Sequence, residues 1–186
     1  MTRFLYFAYG SNMLTERLAA RCPSTEPVGM AEARGYSVSY CLQSPDDSAK
    51  AGLLKVQNQS VWGVLFSLNR SESAVLDSFE GTPVLYARAE IEVFRPGASE
   101  PDLAVTYLPQ PAHVAEGLPF AWYRALCVGG ARQHGLPETA IVRLDCAEVR
   151  PMPSDPEAPA WEGRAHALAA LEAAGLEPAE REIAAQ

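Results

Sequence analysis

The pattern of apolar and polar positions predicts strands that follow one another in runs, with helices placed between the runs. Apolar or alternating stretches predict strands over residues 4–8, 36–42, 53–57, 61–68, 87–94 and 103–108. Apolar residues at helical spacing predict helices over residues 14–21, 71–79, 118–127, 138–148 and 161–174. Strands in runs favour an α+β fold with a mixed or antiparallel sheet over a doubly wound fold.

Turn and linker residues divide this pattern. Asn58-Gln59-Ser60 separates two predicted strands at a spacing typical of a hairpin. After Arg150 the chain becomes rich in proline, which predicts a stiff, extended linker. We therefore expect a compact domain over residues 1–150, and a Pro-rich linker with an Ala-rich C-terminal helix over residues 151–186.

Composition narrows the classes of protein that the chain could represent. Its 186 residues, 48% of them hydrophobic, suit a domain with a sizeable core. A net charge of −8 repels phosphate backbones and argues against a nucleic-acid partner. No apolar run approaches the ~20 residues of a membrane span. The N-terminus also lacks the basic and long apolar segments of a signal peptide, so we expect no membrane partner.

The cysteines and the glycine pattern argue against metal and nucleotide sites. Cys22, Cys41, Cys127 and Cys146 lie far apart, with no CxxC pair and no histidine at ligand spacing. Cys41 and Cys127 fall in apolar runs and are predicted to be small core residues, which favours a reduced, cytoplasmic location. The chain has neither a GxGxxG nor a Walker motif.

The segment Phe-Ala-Tyr-Gly-Ser-Asn-Met, residues 7–13, stands between a predicted strand and a predicted helix. A strand that ends there before a helix begins leaves backbone N–H groups without hydrogen-bond partners. With the positive end of the helix dipole, these groups could form an anion pocket. Alternatively, Ser11 or Asn12 is an ordinary helix N-cap. The local sequence leaves both interpretations open.

Glu80 is the sharpest candidate for proton transfer. It ends the helix predicted over residues 71–79 and directly precedes Gly81. The helix dipole and partial burial would both raise the pKa of such a carboxyl group and make it a general base near neutral pH. Position alone favours the alternative, a solvated surface glutamate. The tyrosines beside predicted strands are typical packing residues with one hydrogen bond each, at Tyr9, Tyr86 and Tyr107.

Four blocks of sequence together resemble one known family. Phe4–Arg17 resembles the opening of the γ-glutamylcyclotransferases. Val61–Phe66, followed by Leu76–Gly81 and then Tyr86, is similar to the second family signature, which holds the catalytic glutamate. Thr106-Tyr107-Leu108 and Gly130–Pro137 resemble two later segments. The blocks occur in family order and are closer to the γ-glutamylcyclotransferase proper than to the glutathione-specific or γ-glutamylamine branches.

The resemblance implies a fold and a reaction. The implied fold is a small mixed β-barrel with peripheral helices. The implied substrate is a small γ-glutamyl molecule, whose free α-amino group attacks its own γ-carbonyl to give 5-oxoproline and a free amino acid. The family implies no metal and no cofactor, and it implies a homodimer.

Site residues follow from the same resemblance. Glu80 matches the family's base, which takes a proton from the substrate amine and can return it to the leaving amine. The segment Tyr9, Gly10, Ser11, Asn12 and Met13 would bind the substrate through its N–H groups. We favour the α-carboxylate over the reaction oxyanion as its ligand, because the carboxylate must be held in every state. Tyr86 and Tyr107 are expected to be hydrogen-bonding wall residues.

One segment departs from the family pattern, and two alternative functions therefore remain to be considered. Lys50–Leu54 stands where the family often has a His-Gly-Gly segment, which bears on the preferred leaving amino acid. One alternative function keeps the same fold and base but uses a γ-glutamyl amine or a biosynthetic intermediate. Another is a non-catalytic binder of γ-glutamyl metabolites.

Overall fold

The computed structural model describes residues 2–145 and 148–176. They form one mixed β-sheet with helices packed on it. The strands are β1 (Arg3–Ala8), β2 (Glu26–Gln43), β3 (Ala49–Asn69), β4 (Tyr86–Val93) and β5 (Asp102–Pro109). The α-helices are α1 (Thr15–Arg21), α2 (Ser73–Phe79), α3 (Ala121–Gln133), α4 (Glu138–Asp145) and α5 (Pro159–Ala173). The predicted α+β class is confirmed.

The first strand lies in the middle of the sheet. The strand order is β2-β3-β1-β5-β4, and β1 runs antiparallel to β3 and parallel to β5. A strand covered on both faces carries a continuous apolar run, and Phe7 and Ala8 at the end of β1 are accordingly buried. The residues that follow Ala8 therefore emerge at the centre of the fold.

The predicted small mixed β-barrel is wrong in one respect: the sheet stays open between β2 and β4 and does not close into a barrel. Strand β2 meets the residue that follows β4 at an isolated antiparallel bridge, in which Glu32 and Phe94 exchange two hydrogen bonds of 2.9 Å. A closed barrel requires a hydrogen-bonded ladder between every pair of neighbouring strands. Strand β2 forms a ladder with β3 from Glu26 to Gln43, whereas it forms no comparable ladder with β4 among the described residues.

The predicted hairpin at residues 58–60 is also wrong, since both flanking segments belong to the single strand β3. The register between β2 and β3 shifts there: Arg34 lies opposite Ser60, but Tyr36 lies opposite Lys55. Asn58 adopts a positive φ of 62° within this irregular stretch. Its turn-forming conformation therefore bends a continuous strand, as β-bulges do, instead of reversing the chain.

The C-terminal helix α5 packs against α3. Gly163 allows this contact, because a Cβ atom there would lie 2.9 Å from the ring of Trp122. Ala167 and Leu171 of α5 are buried, whereas Trp161 is only half-buried and donates from its indole nitrogen to the carbonyl oxygens of two linker residues. The division into residues 1–150 and 151–186 stays a prediction.

Two further observations bear on the expectations from composition. The cysteines in the described ranges, Cys22, Cys41 and Cys127, are buried and carry free thiols, whereas Cys146 lies outside the described residues. Within residues 2–145 and 148–176, no helix is both long enough and apolar enough to cross a membrane.

Candidate active site

A pocket of about 290 Å³, its open mouth included, lies where the end of β1 approaches the end of α2. It brings together most of the site residues predicted from the sequence. Its lining consists of Tyr6, Tyr9, Gly10, Ser11, Asn12, Ala51, Glu80, Tyr86, Tyr107 and Tyr123. Met13, also predicted, does not line the pocket, and its fully buried side chain packs under the turn instead.

A tight turn after β1 lines this pocket with Gly10, Ser11 and Asn12. Ser11–Met13 forms a 3₁₀ turn that closes with a 3.0 Å hydrogen bond from Met13 N to Gly10 O. The N–H groups of Gly10 and Ser11 make no hydrogen bond to any described residue, so they are available to an oxygen atom of a bound molecule.

The N-cap interpretation of Ser11 and Asn12 is wrong for α1. That helix begins at Thr15, with Leu14 at its N-cap position. Because Leu14 and the 3₁₀ turn separate α1 from the pocket, the predicted anion pocket depends on the turn's own N–H groups and not on a helix dipole.

The side chain of Asn12 ties the turn to Glu80. Its Nδ2 donates to Glu80 Oε1 at 2.7 Å and to the hydroxyl of Tyr6 at 3.0 Å. Its Oδ1 accepts a 2.9 Å hydrogen bond from Arg21 Nη1. Both ends of the amide are thus occupied, which fixes its orientation and holds the Glu80 carboxylate beside the turn.

Glu80 stands at the end of α2, as predicted. Its N–H bonds the carbonyl oxygen of Leu76 at 3.0 Å, and Gly81 follows with a positive φ of 65° that ends the helix. Only 15% of its side chain is exposed. The carboxylate is therefore held at the pocket by the backbone of a terminated helix, and the interpretation of Glu80 as a solvated surface residue fails.

The surroundings of Glu80 raise the pKa of its carboxyl group, and burial is the main cause. The guanidinium of Arg21, whose Nη1 lies 3.6 Å from Oε1, opposes this rise, as do the Asn12 hydrogen bond and the charge of Arg17. The negative charge of Asp77 adds to it. A carboxylate with a raised pKa is a stronger base near neutral pH than an ordinary surface carboxylate.

Tyrosine hydroxyls hold the pocket walls in place. Tyr9 donates to the carbonyl oxygen of Tyr107 at 2.5 Å, and Tyr107 donates to Asp77 Oδ1 at 2.6 Å. Burial raises the pKa of both tyrosines, so they stay protonated at neutral pH. Their hydroxyl hydrogens are committed to the protein, which makes these side chains rigid walls.

Ala51 contributes its backbone to the opposite wall. Its N–H donates to the hydroxyl of Tyr123 at 3.1 Å, and its carbonyl oxygen accepts a 2.6 Å hydrogen bond from Tyr86. Both partners line the pocket. The segment that departs from the family, Lys50–Leu54, therefore contributes directly to the pocket.

The sequence-based prediction missed several residues at or beside the pocket: Tyr6, Ala51, Tyr123, Arg17 and Arg21. The two arginines carried a usable pattern, because residues four apart share one face of a helix, and α1 directly follows the turn. Tyr123 lies more than a hundred positions after the turn, and no local pattern marks it.

The described residues offer no evident metal centre. In residues 2–145 and 148–176, no group of three or more His, Cys, Asp or Glu side chains is placed to hold a metal ion.

Comparison with known proteins identifies the family to which this chain belongs. The model of the AIG2-like family matches residues 60–144. The chain is 31% identical over 143 residues to gamma-glutamylcyclotransferase of Homo sapiens, covering 72% of this chain and 73% of the human protein. It is 30% identical over 151 residues to the protein of the same name in Mus musculus, covering 78% and 79%. The chain belongs to the γ-glutamylcyclotransferase family, as the sequence blocks suggested.

Solved structures agree with this assignment. A gamma-glutamyl cyclotransferase structure matches with a TM-score of 0.76 at 26% sequence identity, over 83% of this chain and 93% of that chain. The structural similarity thus covers most of this chain and nearly all of that chain.

Proposed function

We propose that this protein is a γ-glutamylcyclotransferase that converts γ-glutamyl amino acids into 5-oxoproline and a free amino acid, with Glu80 as the general acid-base. The observation that carries the proposal is the position of Glu80. Its carboxylate faces the same pocket as the Gly10–Ser11 N–H groups, is held 2.7 Å from Asn12 Nδ2, and has a pKa raised by burial. Membership of the family supports the same activity.

The proposed reaction needs one group that both accepts and donates a proton. The substrate α-amine is mostly protonated at neutral pH, so Glu80 first removes a proton from it. The amine nitrogen then attacks the γ-carbonyl carbon and forms the ring C–N bond. Glu80 passes this proton to the leaving nitrogen and takes a second proton from the ring nitrogen. The original amide C–N bond then breaks and the carbonyl re-forms. Glu80 gives the second proton to the released amine, which restores the carboxylate.

The turn and the tyrosine walls supply binding and orientation in this proposal. The N–H groups of Gly10 and Ser11 bind the substrate α-carboxylate, Asn12 holds the Glu80 carboxylate beside it, and the buried Met13 supports the turn. Tyr86 and Tyr107 donate their hydroxyl hydrogens to the protein, so they confine the substrate in its folded shape. Confinement brings the amine and the γ-carbonyl together, which accelerates an intramolecular ring closure.

Cellular location and assembly are proposed from the cysteines and from the family resemblance. We place the protein in the cytoplasm, and its buried free thiols are compatible with a reducing compartment. The homodimer is proposed from the family resemblance alone. The net charge of the chain, −8, supports a small-molecule substrate over a nucleic acid.

A panel of substrates tests the function directly. We expect the purified protein to release 5-oxoproline from γ-glutamyl-alanine, measured by chromatography. Faster release from a γ-glutamyl amine would favour the alternative in which the same base acts on another γ-glutamyl compound. Binding of these compounds without turnover of any of them would instead identify a non-catalytic binder.

Replacing Arg21 should change the pH dependence of the reaction. Arg21 is the strongest of the groups that lower the pKa of Glu80, so Arg21→Met should let that pKa rise further. The acid limb of kcat/KM, where Glu80 loses its proton, should then move to higher pH. At a pH near the wild-type midpoint of that limb, the activity of Arg21→Met should therefore be several-fold lower than that of the wild-type protein.

The matched control for Arg21→Met is Arg95→Met. This substitution removes the same charge from an arginine that is half-exposed and pairs with Asp102 away from the pocket. The control profile should overlay that of the wild-type protein. An acid limb unmoved by Arg21→Met would contradict the assignment of that limb to Glu80.

A further inference from the structure

Arg17 reaches the turn of the pocket from α1. Its Nε donates to the hydroxyl of Ser11 at 3.2 Å, and Ser11 lines the pocket. It stands four residues before Arg21, so both arginines project from one face of this helix. The neighbouring arginine contacts Asn12 and Glu80, which makes this helix face part of the pocket surroundings.

Arg17 senses the charge of Glu80 but, unlike the other cations near the pocket, forms no ion pair with a described residue. Three nearby cations form ion pairs, namely Arg21 with Glu80, Arg88 with Asp77, and Lys50 with Asp46. No Asp or Glu among the described residues pairs with Arg17. Its Nη1 and Nη2 make no hydrogen bond to residues 2–145 or 148–176, and neither nitrogen is fully buried.

This guanidinium keeps its charge under working conditions. Burial and the neighbouring charge of Arg21 lower the pKa of Arg17 to about 10. The group is therefore still protonated at neutral pH, and it offers two NH₂ groups that suit the two oxygens of a carboxylate.

We propose that Arg17 binds the carboxylate of the leaving amino acid and so selects γ-glutamyl amino acids over γ-glutamyl amines. The proposal rests on the proposed cyclotransferase function. The γ-glutamyl part of a substrate carries one ammonium and one carboxylate, which balance each other. A leaving amino acid adds a second carboxylate, and that charge matches Arg17. An amine leaving group would bring no partner for Arg17.

Two substrates that differ only in this carboxylate test the proposal. γ-Glutamyl-ethylamine has the skeleton of γ-glutamyl-L-alanine without the carboxylate of alanine. Arg17→Met should lower kcat/KM for γ-glutamyl-alanine about 10- to 100-fold, mainly through KM. Arg17 also lowers the pKa of Glu80, so both substrates are compared at a pH above the acid limb, where Glu80 is ionised in each variant. There Arg17→Met should change kcat/KM for γ-glutamyl-ethylamine by less than about 3-fold. Arg17→Lys keeps the charge and should restore part of the preference.

Several results would overturn the proposal. An equal loss on both substrates would mean that Arg17 acts through Ser11 or on the shared glutamyl part. No loss on either would mean that Arg17 does not contact the substrate. Arg95→Met serves as the charge control, and thermal unfolding curves of all variants confirm that they fold. If Arg17→Met fails to fold, Arg17→Gln removes the same charge, and a ratio of the two activities equal to the wild-type value in that variant counts against the proposal.

A binding measurement separates this proposal from the proposed reaction. Calorimetry in the Glu80→Gln background compares the Kd of both compounds with and without Arg17→Met. A loss of affinity confined to γ-glutamyl-alanine supports the role of Arg17 even if the wild-type protein releases no 5-oxoproline. In that case the proposed function alone would fail. Equal affinities for the two compounds in the presence of Arg17 would overturn the role of Arg17.

Discussion

Replacing Glu80 with Gln is expected to abolish 5-oxoproline release from γ-glutamyl-alanine, lowering kcat by about 10³-fold or more. Gln has nearly the same shape, and its side-chain oxygen can still accept the hydrogen bond from Asn12 Nδ2. It cannot take a proton from the substrate amine. The loss would therefore report proton transfer and not a rearranged pocket, and single-turnover measurements should place it in the chemical step.

The stability of the variant and a surface control complete this test. Burial already favours the neutral form of Glu80, so a neutral amide should leave the Tm within about 4 °C of the wild-type value. Glu138→Gln changes an exposed residue in the first turn of α4 and should keep full activity. Activity of Glu80→Gln within a few-fold of wild type would remove Glu80 from the role of base.

Local patterns were sufficient to predict the element that carries Glu80. The apolar positions Val75, Leu76 and Phe79 repeat at helical spacing, and Gly81 stops the helix. These interactions lie within one or two turns of chain, so the sequence contains them directly. The prediction of a raised pKa was also correct in direction, since burial at this position dominates over the nearby cations.

Long-range geometry could not be predicted in the same way. Asn58 is a residue type that favours turns, but a residue with positive φ occurs in β-bulges as well as in hairpins. Local sequence cannot distinguish these outcomes, because they differ in which distant strand provides the partner. The same limit applies to the barrel, whose closure depends on whether β2 and β4 pair along their length.

The pocket itself combines predictable and unpredictable parts. The turn after β1 is a contiguous motif and was recognised as such. Ala51 and Tyr123 reach it from β3 and α3, and their hydrogen bond joins residues 72 positions apart. Asn12 was predicted as a binding residue or a helix N-cap, whereas its side chain in fact also holds Glu80 in place. Side-chain contacts of this kind depend on the packed fold, so no recognisable spacing of residues in the sequence indicates them.

Substituting Gly130 with Ala should both destabilise the fold and disturb the active site. The helix α3 crosses directly behind the turn, and a Cβ atom at Gly130 would lie 2.5 Å from the carbonyl carbon of Met13 and closer still to Leu14 N. Both contacts are with backbone, which cannot move aside as a side chain can. Overpacking of this kind costs about 1–3 kcal/mol, which corresponds to a Tm lower by roughly 2–10 °C.

The neighbouring glycine provides the matched control for Gly130→Ala. A Cβ atom at Gly129 would lie 3.2 Å from the side-chain ends of Leu171 and Leu176, which can adjust. Gly129→Ala should therefore gain about 0.5–1 kcal/mol from helix propensity and keep full activity. Because both glycines lie within α3, the propensity gain is common to both variants, and their difference measures the contact with the turn. If Gly130→Ala matches Gly129→Ala in Tm and in KM, the position of the turn does not depend on the close approach of α3.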